Sequence, residues 1–134
     1  MKVSFPTPLE VSLTTDAAQS PSGRALWRLD APMSAQVDGL LYTVPDGFET
    51  DFCSVPKVPF VYLLAGGIGA KAGVLHDWTY SREYDGPAIE RARADDVLYA
   101  GLLACGVSTW RAWLMFRAVR MFGAEHWRVA FPPS

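Results

Sequence analysis

The chain reads as an α+β protein: a small N-terminal antiparallel β-sheet packed on three C-terminal α-helices. Three observations predict it. Strand-like alternation and turn signals fill residues 1–56, as in Leu9–Thr15, where Leu9, Val11 and Leu13 share a face. Helical spacing takes over in residues 57–134, most clearly in Ala88–Cys105 and Thr109–Phe122. A length of 134 residues, 50% of them hydrophobic, suits a single domain over residues 1–134 with a packed core.

Each element has its own local reason. Asp16–Gly23 (DAAQSPSG) is a turn or loop, and Arg24–Leu29 the next strand. Ser34–Val37 and Leu40–Val44 flank Asp38-Gly39, a hairpin signal. Pro45-Asp46-Gly47 turns the chain into a short strand, Phe48–Phe52. Ser54 suits a helix cap, and Pro59–Ala65 a short helix or turn ended by Gly66-Gly67. Lys71–Tyr80 is the first good helix. Asp85-Gly86-Pro87 then breaks the chain, with Pro87 suited to the first position of the next helix. Ala88–Cys105 is that helix, stopped by Gly106. Ser108 caps the last, Thr109–Phe122, which Gly123 ends, and Trp127–Phe131 adds a strand or a docked tail.

Composition excludes several classes. A net charge of −2 does not suggest nucleic acid as a partner. No apolar run reaches the ~20 residues of a spanning helix, and the N-terminus lacks the apolar core of a signal peptide. Cys53 and Cys105 form no metal or disulfide framework and read as buried small residues. The charge is unevenly spread. Acids dominate residues 1–56, whereas residues 107–134 carry Arg111, Arg117, Arg120 and Arg128 against Glu125 alone. Such ends attract each other, within a molecule or between copies as a homo-oligomer.

The chemistry-bearing residues gather around Leu75-His76-Asp77-Trp78-Thr79-Tyr80. His76 and Tyr80 are one helical turn apart and share a face, while Asp77 is rotated by about 100° toward a different neighbour. On the following helix Asp95 falls on the apolar stripe with Leu98 and Leu102, and Asp96 lies one step round. A carboxylate on a core-facing stripe needs a partner, and His76, the Tyr80 hydroxyl or Arg91 can serve.

Two readings follow. In one, Asp95 fixes one nitrogen of His76 and leaves the other as a base, with Asp77 available for a cation or a helix N-terminus. In the other, His76, Tyr80 and Asp95 form a satisfied buried network that holds two helices in register. A zinc site lacks ligands, since only His76 and His126 exist, and Ser54 does not lie in a G-x-S-x-G elbow. Asp51 either bonds its own backbone in a β-to-helix turn or stands beside His76 as a further acid or ligand. The last helix is apolar almost all round, interrupted by Arg111, Arg117 and Arg120 with buried stems and wet heads. Core plus a protein partner is the expected cover, with contact to membrane lipid the minority alternative.

Two resemblances rest on these residues. Val44-Pro-x-Gly47-Phe48-x-Thr50-Asp51-Phe52-x-Ser54-Val55-Pro56, then Val74-Leu75-His76-Asp77-x-x-Tyr80, Ala94-Asp95, Trp113-Leu114-Met115 and Val119-Arg120-x-Phe122-Gly123 resemble a phage and prophage family catalogued as domain of unknown function 1353. That resemblance implies a phage or prophage origin and no reaction. More narrowly, His-Asp-x-x-Tyr with an Asp on the next helix is similar to the phospholipase A-two site, especially its viral form. It implies His76 as the base that activates water, Asp95 orienting it, Tyr80 bonding Asp95, and Asp77 holding calcium. Gly66, Gly67 and Gly69 do not spell that family's calcium loop, and its cysteine ladder is missing.

The functional expectation is therefore a virion-associated protein of phage or prophage, of the tail or its tip, docking to other virion proteins. It would reside in the virion, or in the host cytoplasm during assembly. The alternative is a hydrolase using His76 and Asp95.

Overall fold

A computed structural model describes residues 1–19, 26–51 and 68–128. Among these residues six strands come first: β1 (Val3–Ser4), β2 (Val11–Thr15), β3 (Leu26–Leu29), β4 (Met33–Val37), β5 (Leu40–Val44) and β6 (Glu49–Thr50). Three helices follow among the described residues: α1 (Ala70–Tyr80), α2 (Arg91–Ala104) and α3 (Thr109–Phe122). The fold is α+β, as the sequence predicts. The strands divide into two antiparallel sheets, β1-β4-β5 and β2-β3-β6, where one was expected.

The β4–β5 hairpin closes through Asp38 (φ 50°) and Gly39 (φ 81°). Two left-handed residues in a row make the type I′ turn whose twist matches the flanking strands. Its register pairs Val37 with Leu40 and Met33 with Val44. Asp38 also fastens distant parts of the chain, accepting the Lys2 backbone N–H at 2.7 Å and the Arg93 guanidinium at 2.8 Å. The Lys2 amide, then Arg93, hold its carboxyl below the usual carboxylate range.

The core has two parts. Met33, Ala35, Tyr42 and Val44 from the first sheet, with Leu29 and Phe48, pack on Val74, Leu75 and Trp78 of α1 and Val97 of α2. Ala72, Leu98, Leu102, Ala112, Met115 and Val119 join the three helices to one another. α2 ends in a Schellman motif, as Gly106 predicts: Val107 N–H bonds the Leu102 carbonyl and Gly106 N–H that of Leu103, both at 3.0 Å, with Gly106 at φ 93°.

Several boundaries differ from expectation. Pro87 is not the first helical residue, because α2 starts at Arg91 with Glu90 as its extended N-cap. The Tyr84 hydroxyl donates to the Pro87 carbonyl, and Gly86 lies so close under Trp78 that a Cβ there would sit 2.7 Å from its ring. The chain becomes helical only beyond this pinned segment. Ser108 occupies the N-cap of α3, yet its hydroxyl makes no capping bond. β1 was not foreseen, and Trp127-Arg128 form a turn. The predictions for Cys53, Ser54, Pro59–Ala65 and Gly66-Gly67 lie outside the described residues, as does the end of the Trp127–Phe131 segment. Cys105 is a half-buried free thiol whose pKa is raised by burial, as a packing residue's would be. Among the described residues no helix is long and apolar enough to cross a membrane.

Candidate functional site

Asp95 is the centre of the site. It is 0% exposed, on the face of α2 that meets α1 and α3. Burying a carboxylate without partners costs several kcal/mol, roughly the whole margin of a small domain. All three partners foreseen from the sequence are present. His76 Nε2 lies 2.8 Å from Oδ1, the Tyr80 hydroxyl donates to the same oxygen at 2.5 Å, and Arg91 Nη2 stands 4.0 Å from Oδ2.

A fourth partner was not foreseen. Arg120 of α3 donates to Asp95 Oδ2 from Nη1 at 2.7 Å. Its head is therefore not in solvent with those of Arg111 and Arg117, as sequence reasoning placed it. The one signal available was its place in the Val119-Arg120-x-Phe122-Gly123 motif.

These contacts fix the charge state. Burial alone would raise the Asp95 carboxyl, but hydrogen bonds from His76, Tyr80 and Arg120 hold it below its ordinary value. Burial pushes the His76 imidazole down, against the opposing pull of Asp95, and raises the Tyr80 phenol. At neutral pH Asp95 is thus an anion beside a neutral imidazole. An anion only accepts, so Nε2 carries the His76 proton and Nδ1 is the basic nitrogen.

Arg91 and Arg128 secure the surrounding helix ends. Arg91 donates from Nε to the Tyr80 hydroxyl at 3.1 Å and from Nη2 to the Val119 and Arg120 carbonyls at 2.8 and 2.9 Å. It thereby binds carbonyls in the last turn of α3, where a cation is also favoured by the helix dipole. Arg128 does the same for α1, its backbone N–H on the Tyr80 carbonyl at 2.6 Å and Nε on that of Thr79 at 3.1 Å. Its guanidinium lies over the rings of Tyr84 and Trp127. Gly123 leaves room for the phenol: a Cβ there would sit 3.0 Å from Tyr80 Oη and 2.4 Å from the Val119 carbonyl oxygen.

Asp77 points away from His76, as its rotation on the helix requires. The Thr50 hydroxyl of β6 donates to its Oδ2 at 2.5 Å. Both line a cleft of about 360 Å³ with Asp51, Tyr80, Glu83 and His126. Asp51 and Asp77 thus line the same cleft. His76, only 4% exposed, is not part of that wall.

Calcium takes six to eight oxygen ligands. Among the described residues no three His, Cys, Asp or Glu side chains gather to hold an ion, and Asp77 is engaged by Thr50. Among the described residues, then, no calcium centre is built from side chains around Asp77.

Residues 27–119 match the family described as protein of unknown function (DUF1353), more than half of the chain. The chain belongs to this family. The match takes in His76, Asp77, Tyr80, Arg91 and Asp95 and ends one residue before Arg120. Neither a curated protein nor a solved structure matches the chain.

Proposed function

We propose that this family member is a virion-associated docking protein of phage or prophage, of the tail or its tip. The observation that carries the reading is the outer face of α3. Trp110, Trp113, Leu114 and Met121 are 61, 51, 42 and 62% exposed on one helix of 14 residues. Scattered apolar side chains are ordinary on a surface, but two tryptophans in a stripe with arginines have the composition of an interface hot spot. The buried network supports this use, because the Asp95–Arg120 pair and the bonds from Arg91 tie α3 to α2 behind that face. The test is incorporation into particles. Virions assembled with Trp113→Ser/Arg117→Ser should lack the protein. Intact, infectious virions without the chain would overturn the reading.

A hydrolase is the second reading, and the pairing of His76 with Asp95 favours it. Asp95 holds the imidazole through Nε2 in one fixed orientation, as a general base requires, and Tyr80 steadies the carboxylate. Substrate would have to reach a 4%-exposed ring, which ranks this reading second. Hydrolysis of phospholipid vesicles and soluble esters by wild type, lost in a His76→Gln variant that melts normally, would support it. No hydrolysis by either would remove it.

A further inference from the structure

We infer that the outer face of α3 docks onto the acidic end of the β2-β3-β6 sheet of a second copy, head to tail. The inference deepens the docking reading by naming a partner, and it rests on that reading.

Charge identifies the occupant. α3 contains no acidic residue. Arg111 and Arg117 lie over the rings of Trp110 and Trp113, at 5.2 and 5.7 Å, and no carboxylate pairs with them among the described residues. On ideal helix geometry Arg117 falls between Trp113, Leu114 and Met121, in the middle of the stripe rather than on its rim. A lipid surface would have to take that charge into its apolar layer, whereas interfacial helices keep arginine on the polar side. Pairing α3 with α3 across a two-fold axis would set Arg117 against basic residues with nothing to neutralise them.

The complement is on the same chain. Asp30 N–H bonds the Glu10 carbonyl and Gly47 N–H the Leu29 carbonyl, both at 2.8 Å. These bonds bring exposed Glu10, Asp30 and Asp46 together at one end of the sheet. α3 packs chiefly on α2 and the turn that follows it, not on this sheet. The two faces therefore meet between copies. Because they differ, the contact is heterologous, and it builds a ring or an open chain rather than a closed pair.

Sedimentation velocity tests this on the purified chain. Wild type should form species larger than a dimer at low salt and dissociate in about 0.5 M salt, where charges are screened beyond about 4 Å. Trp113→Ser/Arg117→Ser alone and Glu10→Gln/Asp30→Asn/Asp46→Asn alone should each be monomeric, with wild-type circular dichroism and melting. Mixed one to one, they should form a dimer and nothing larger, since only one live face of each kind remains. A monomeric wild type, self-association that survives either set of changes, or a mixture without dimer would overturn the inference. So would a monomer that binds anionic vesicles through Trp113 and Arg117. Failure here is read on the purified chain, and failure of the docking reading on virions, so the two are separable.

Discussion

Arg120 Nη1 lies 2.7 Å from Asp95 Oδ2, so the outer helix is joined to the middle one by an ion pair whose acid is fully buried. The acid has three other partners and the arginine is 33% exposed, so the loss on removing it should be intermediate. Arg120→Met should cost about 2–3 kcal/mol and Asp95→Asn about 3–5 kcal/mol in urea unfolding. The double variant should cost less than the sum, with a coupling of about 1–2 kcal/mol. Additive losses would show the pair to be energetically idle.

The pH dependence has a defined sign. His76 has its pKa below the ordinary 6.5, so between the two values the unfolded chain binds a proton that the folded one does not. Stability is complete above 6.5 and falls as pH drops through the folded value. Asp95, held below 3.8, adds a second loss at lower pH. Urea melts should therefore weaken steadily below pH 6.5, and His76→Gln should flatten that slope. An unchanged slope would place the titration elsewhere.

Gly123→Ala should destabilise by about 1–3 kcal/mol, the usual cost of forcing atoms into filled space. The new methyl would meet Tyr80 Oη and the Val119 carbonyl. The near-ultraviolet tyrosine signal should change with it, because the phenol must shift.

Arg128 sits at φ 44°, a left-handed conformation in a residue that has a Cβ. Arg128→Ala removes the guanidinium bond to Thr79 and keeps the backbone cost, for a loss of about 1–2 kcal/mol. Arg128→Gly removes the same bond but relieves the backbone, so it should melt above the alanine variant by about 0.5–1 kcal/mol in stability.

The site's inner half was legible because helical geometry is local. Spacing alone put Tyr80 on the side of His76, turned Asp77 away and set Asp95 into the apolar stripe. Arg120 was not legible, because its partner is 25 positions away on another helix and its own helix gave it an apparent route to water. The division of the strands into two sheets was hidden for a related reason, since pairing partners are set by tertiary packing. β1 has only two residues, too few for alternation to register. Pro87 misled because the contacts that delay α2, from Trp78 and Tyr84, involve rings rather than the local punctuation of the chain.

Arg91 reaches the last turn of α3 and the Tyr80 phenol with a single guanidinium, and that phenol shares an oxygen of Asp95 with the imidazole. A load on the outermost rod is thus delivered, one side chain later, to a ring with almost no surface of its own. Seating any guest on those tryptophans should be audible as a chemical-shift change at His76, though the guest never touches it.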